Sequence, residues 1–179
     1  MTTAPTPTPV RRQARNRTTG SGDQRGFYQD VAQAGATPDV STTITTAPAP
    51  DHAVEALGID AATPVLTRSR VMATEAGILQ LATTYFAPSV AAEIPRLAEQ
   101  DTGSGGMYAR LEEAGHEIAG NQSEVVTARR PTAEEAAALG LTDEWVIVLR
   151  RVTRNQHDAA LEYTDVVAHP LLNAFEYQV

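Results

Sequence analysis

A chain of 179 residues holds one well-cored domain and is too short for two of ordinary size; with 42% hydrophobic and 20% charged residues it is not a disordered polymer. It has no cysteine, so disulfides, thiolate metal centres and a cysteine nucleophile are excluded. The net charge of −8 is unevenly divided: residues 1–26 carry five arginines against Asp23, leaving −12 on the remainder, which argues against phosphate-backbone binding by the folded body.

Residues 1–26 alternate Thr and Pro at positions 6–9 and then run through Arg, Asn, Gly and Ser around the single valine Val10. They are expected to form a disordered Arg/Pro/Thr-rich arm or linker, with one domain over 27–179. A strand is expected at 39–46, where Val40, Thr42, Ile44 and Thr46 combine β-branching with a period of two. A short helix follows, with Asp51 as its cap, Val54 and Leu57 on one face, and Gly58 as its left-handed stop. Strands at 64–73 and 78–86, separated by Thr74-Glu75-Ala76-Gly77, read as an antiparallel hairpin. Next come a helix at 89–99, the loop Gly103-Ser104-Gly105-Gly106, and a helix at 107–114 stopped by Gly115. A strand at 117–129 leads to a second short helix with a Thr132/Glu135 capping box and Gly140 as its stop. Strands at 144–155 and 160–168 make a second hairpin.

These elements repeat. Leu57-Gly58-Ile59 recurs as Leu139-Gly140-Leu141 and Pro88 as Pro170, both 82 positions on, while Arg70-Val71 matches Arg151-Val152 at 81. Each copy is a glycine-stopped helix followed by two strands ending at proline. The expected fold is α+β: a six-stranded antiparallel sheet with helices packed on it, built from two pseudo-symmetric half-repeats.

The candidate chemistry is sparse. His52, His116, His157 and His169 are dispersed with no metal-ligand spacing, so neither metal nor cofactor is expected. There is no apolar run long enough to span a bilayer and no signal-peptide core in the first 26 residues, so a cytoplasmic protein is expected. Arg68 and Arg70, two apart on one strand, share a face with Leu66 and Met72 and suit a carboxylate or phosphate; the competing reading is cross-strand pairing with Glu162 or Asp165. The loop 103–106 ahead of a helix offers amides to an anion, Ser104 and Gly106 included, or is a surface connection. It lacks the Lys and Ser/Thr of a nucleotide phosphate loop. Glu162 and Asp165 face either a cationic or hydroxylated ligand or solvent.

The order helix-Leu57-Gly58-Ile59, Pro64-Val65, Arg68-x-Arg70-Val71, a hairpin with Tyr85 and Pro88, Gly106-Met107-Tyr108 opening a helix, then Leu139-Gly140-Leu141, resembles the UTRA domain over 27–179. That domain is the effector-binding and dimerisation half of bacterial HutC-type transcription regulators of the GntR superfamily, and it has a chorismate-lyase-like fold. The resemblance implies a small-molecule effector, anionic if the Arg-x-Arg pair holds it, with Tyr108 as a contact, and a homodimer. It implies that DNA is read only through a winged helix-turn-helix, which residues 1–26 are too short to form; the segment 10–17 resembles the inter-domain linker. Ala82 replaces a frequent acidic residue, Gly106 a frequent serine, and His169-Pro170-Leu171-Leu172-Asn173 the usual Arg/Asp-rich ending, which argues against a sugar phosphate. The alternatives are a chorismate-lyase-like enzyme and an interaction module that forms mixed dimers with full-length regulators.

Overall fold

Residues 8–13, 25–118 and 120–177 are described in a computed structural model of the chain. The elements in order are β1 (Val10–Gln13), α1 (Phe27–Gln33), β2 (Asp39–Pro48), α2 (Asp51–Leu57), β3 (Pro64–Thr74), β4 (Gly77–Phe86), α3 (Pro88–Glu93) and a 3-10 turn (Pro95–Ala98). They continue with α4 (Gly106–Glu113), β5 (Gln122–Arg129), α5 (Ala133–Leu139), β6 (Val146–Arg154), β7 (Ala160–Ala168) and β8 (Asn173–Glu176).

Six strands form one sheet in the order β2-β3-β4-β7-β6-β5, with every neighbouring pair antiparallel. The order is palindromic in the two halves: β2-β3-β4 meets β7-β6-β5 at a central β4–β7 seam, where Thr83 lies opposite Asp165. The expected α+β architecture and its two half-repeats are therefore observed. The capping box at α5 forms as read, with the Glu135 N–H donating to Thr132 Oγ1 at 3.2 Å and the Thr132 N–H to Glu135 Oε2 at 2.8 Å.

Four local expectations are corrected. Val10–Gln13 is not part of a disordered arm: it pairs in parallel with β8, Val10 is buried, and the Arg12 Nε donates to Asp30 on α1 at 2.8 Å. The rest of the predicted arm, 1–7 and 14–24, lies outside the described residues. The helix expected at 89–99 ends at Glu93 because Pro95 has no N–H to continue the ladder, and a 3-10 turn takes over. Asp51 is the first residue of α2 rather than its cap; Pro50 holds that position, and no side chain caps the helix. The strand expected from 117 starts at Gln122; Ile118, ahead of it, is buried in the apolar cluster that holds Leu97 and Leu111.

Two apolar clusters lie along the sheet. One gathers Val65, Phe86, Leu97, Leu111 and Leu161; the other gathers Phe27, Val31, Met72, Leu79, Leu149 and Val166 under α1 and β1. A smaller third cluster seats Leu139 beside Val146, Val148, Leu81 and Val167 on the opposite face, at α5. Among the described residues no helix is long and apolar enough to cross a membrane.

Candidate functional site

Strand register lays the polar layer between the two large clusters. Because side chains alternate across a pleated sheet, residues in register share a face. One row crosses all six strands as Ile44, Arg68, Thr84, Thr164, Arg151 and Glu124. The next is Thr42, Arg70, Ala82, Val166, Leu149 and Val126, and beyond it lie Val40, Met72, Gln80, Ala168 and Ile147. Over these rows sits a cavity of about 540 Å³, roofed by residues 25–28, the loop 100–106, Tyr108 and Phe175. Arg68, Arg70, Ser104, Gly106 and Tyr108 all line it.

The two arginines read as a pair behave differently. Arg68 is buried, and its donors end on backbone carbonyls: Nη1 on Leu97 O at 2.7 Å and on Glu99 O, Nη2 on Gln100 O at 2.9 Å. It therefore clamps the segment that carries the glycine-rich loop. Burial lowers its pKa, opposed by the nearby negative charge of Asp101. Arg70 donates from Nη2 to Thr84 Oγ1 at 2.9 Å, while its buried Nε has no partner among the described residues. Burial first, and the positive charge of Arg68 second, push its pKa down to about 10; Arg151 adds to the fall, and Tyr108 and Glu162 oppose it. Neither arginine makes an ion pair with Glu162 or Asp165, so the cross-strand pairing offered as the competing reading is not what the described residues form.

Arg151, not singled out in the sequence, stands on the same floor. Its Nη1 donates to Glu124 Oε2 at 3.0 Å. Burial pulls its pKa down, but Tyr108, Glu162 and Glu124 together outweigh burial and raise it. The signal for it was present: the repeat matches Arg151 to Arg70 at a spacing of 81.

Glu162 is fully buried at the end of a hydrogen-bond chain. Arg70 donates to Thr84, the Thr84 and Thr164 hydroxyls meet at 2.8 Å, and Thr164 donates to Glu162 Oε2. Thr153 and Tyr108 donate to the other carboxylate oxygen, Tyr108 at 3.3 Å. A fully engaged carboxylate of this kind orients Tyr108 and the threonines. Two cations also stand over the Tyr108 ring, the Arg25 guanidinium 5.7 Å and that of Arg151 5.9 Å from its centre.

Asp165 is not brought to the cavity. It lies on the opposite face, 3.0 Å from His52 Nε2 and 3.5 Å from Arg150 Nε. Strand parity held that answer, since positions 162 and 165, three apart, face opposite sides. The glycine-rich loop is held from within: the Gly103 N–H donates to Asp101 Oδ1 at 2.7 Å and the Gly106 N–H to Gly103 O at 3.0 Å. Arg110 donates to Thr102 O at 3.0 Å and to Ser104 O at 3.3 Å. Of the four loop amides, those of Gly103 and Gly106 are thus engaged within the loop, which forms a wall of the cavity.

Comparison with known proteins agrees with this architecture. The UTRA domain model matches residues 40–170. An uncharacterized HTH-type transcriptional regulator of Streptomyces coelicolor is 30% identical over 149 residues, covering 79% of this chain and 55% of the relative, so the chain spans about half the length of that protein. PhnF of Mycobacterium smegmatis superposes with a TM-score of 0.76 at 22% identity, covering 96% of this chain and 72% of PhnF. The separately solved effector domain of PhnF superposes with a TM-score of 0.73 at 23% identity, covering 95% and 99% of the two chains. With the family model matching well over half of its residues, the chain belongs to the UTRA domain family.

Proposed function

We propose that the chain is the effector-binding and dimerisation part of a bacterial, cytoplasmic transcription regulator of the GntR superfamily, and that its effector is a small anion bound over the sheet beneath the loop 100–106. Family membership and the HTH-type regulator among its relatives support the regulatory role. In this reading DNA is contacted through a winged helix-turn-helix, and two domains pair so that two readers meet a two-fold operator.

One observation carries the choice of an anion. Arg70 presents a partly buried guanidinium, its Nε buried and without a partner, to a cavity of about 540 Å³ with no carboxylate within ion-pair distance among the described residues, and its pKa is pushed down to about 10 by burial and neighbouring cations. Drawing a cation from water without a direct ion-pair partner is costly, and an anionic ligand relieves that cost. Arg68, Ser104, Gly106 and Tyr108 form the rest of the proposed contact surface, with Glu162 as the support beneath Tyr108. Calorimetric titration of the chain with small carboxylates and sugar phosphates, against neutral and cationic analogues, tests the reading. Saturable binding confined to anions is expected; binding confined to neutral or cationic compounds overturns it.

A further inference from the structure

We infer that the effector is an amphipathic monoanion, with one carboxylate-like head at Arg70 and an apolar body lying along β3, β4, β7 and β6 toward β1. The inference rests on the anion-pocket reading and narrows it. Two independent observations carry it: the charge balance of the cavity wall and the graded polarity of its floor.

Five arginines line the cavity, against one carboxylate, Asp101. Three of the five already face acids: Arg12 on Asp30 at 2.8 Å, Arg25 on both oxygens of Glu112 at 2.8 Å, and Arg151 on Glu124 at 3.0 Å. Arg68 is bound to the carbonyls of Leu97, Glu99 and Gln100 and is near Asp101. Among the described residues Arg70 is the one of the five with no acid in direct contact or close by, its link to the buried Glu162 running through the Thr84 and Thr164 hydroxyls, so direct pairing leaves room for one negative head. A dianionic phosphate would bring a second charge for which the wall holds no unmatched cation.

The floor then decides the ligand's body. From the Arg68–Thr84–Thr164–Arg151 row, the cavity floor passes to Thr42, Ala82, Val166 and Leu149, and then to Val40, Met72 and Gln80, with Phe27 and Phe175 on the roof. The polar exception in the last row, Gln80, is engaged at both ends: Oε1 accepts from Arg12 and Nε2 contacts Met72 Sδ at 2.9 Å. The Thr84 and Thr164 hydroxyls are likewise tied into the chain that ends on Glu162. A hydroxyl-rich ligand laid beyond Arg70 would therefore bury polar groups without partners, whereas a hydrocarbon body matches the surface.

The test is calorimetric titration of the 179-residue chain with butanoate, hexanoate, octanoate, octan-1-ol and glucose 6-phosphate. Affinity is expected to rise about fourfold per added methylene, the ordinary gain for burying a CH₂. Octanoate should bind at one site per chain and at least tenfold more tightly than octan-1-ol or glucose 6-phosphate. Val166→Thr, which keeps side-chain shape and replaces a methyl by a hydroxyl, should reduce the gain per methylene from butanoate to octanoate; Val40→Thr on the outer strand serves the same purpose if melting shows that the first variant is unfolded. Arg70→Gln should bring octanoate down to the affinity of octan-1-ol. Butanoate or glucose 6-phosphate binding that depends on Arg70 but shows no gain with chain length overturns the amphipathic body and leaves the anion pocket standing. Equal binding of octanoate and octan-1-ol, or no binding by any of the anions, overturns both.

Discussion

Arg70 and Arg151 occupy corresponding positions in the two half-repeats, yet among the described residues only Arg151 meets a carboxylate. The difference lies one strand outward: register places Thr42 beside Arg70 on β2 and Glu124 beside Arg151 on β5. The two halves thus differ beside these arginines, and the difference leaves the cation that the cavity offers. Thr42→Glu should supply the missing acid, so the chain should fold with an unchanged or raised Tm while anion affinity falls at least tenfold, measured by melting and titration on the same preparation. Undiminished affinity would show that Arg70 is not the anchor.

Arg70 and Arg68 should separate function from stability. Charge-assisted hydrogen bonds are worth about 1.5–3 kcal/mol, so Arg70→Ala should weaken anion binding by roughly ten- to a hundredfold with the fold retained. Arg68→Ala should instead lower stability by about 3 kcal/mol, since it strands the carbonyls of Leu97, Glu99 and Gln100 that Arg68 satisfies. Chemical denaturation and titration of both variants test the contrast, and equal effects of the two substitutions would contradict it.

Gly103 is the loop position where a side chain does most harm. It has φ of +82°, and an added Cβ would stand 2.6 Å from Arg96 Nη2 and 3.1 Å from Arg110 Nη1. Arg96 is half exposed and can swing aside, but the left-handed backbone cannot be relieved that way. Gly103→Ala should therefore destabilise by about 1–2 kcal/mol and loosen the roof of the cavity. Hydrogen exchange over 100–106 should rise in the variant; unchanged exchange would contradict the role assigned to glycine at this position.

The α5 capping box gives an acid-side stability dependence. Hydrogen bonding from Arg129, opposed by partial burial and helped by the Thr132 N–H, holds the Glu135 carboxyl below its ordinary 4.5. A carboxylate with a depressed folded-state pKa contributes stability that is present above the unfolded value and is lost as pH falls through the folded one. Tm should thus decline from about pH 4.5 downward, and Glu135→Gln should lower Tm at pH 7 while flattening that part of the profile. A variant that keeps the full acid-side slope would place its origin elsewhere.

Assembly and DNA binding can be checked together. The outer strand β5 exposes Val125 at 60% and Val126 at 44% and leaves one backbone edge unpaired within the sheet. Light scattering should give a dimer at micromolar concentration, and footprinting with residues 1–179 should show no defined operator at physiological salt. A stable 19.1 kDa species at high concentration, or a protected operator, would count against the proposed division of labour.

The sequence by itself determined the order and type of most elements, because those depend on near neighbours. Period-two β-branching marks β2, Thr132 with Glu135 opens α5, and Gly58 and Gly140 close their helices at left-handed φ. The repeat carried this further, since two like hairpins joined at a seam make a palindromic sheet. What no local pattern holds is the partner across a long loop. Val10–Gln13 becomes a strand only because Asn173–Glu176 arrives beside it, and Arg12 is buried only because Asp30 is there to receive it. The same reason divides Arg68 from Arg70: period two places both on one face, but the carbonyls of 97–100 that occupy Arg68, and the absence of any acid beside Arg70 among the described residues, exist only once the loop has folded over the sheet.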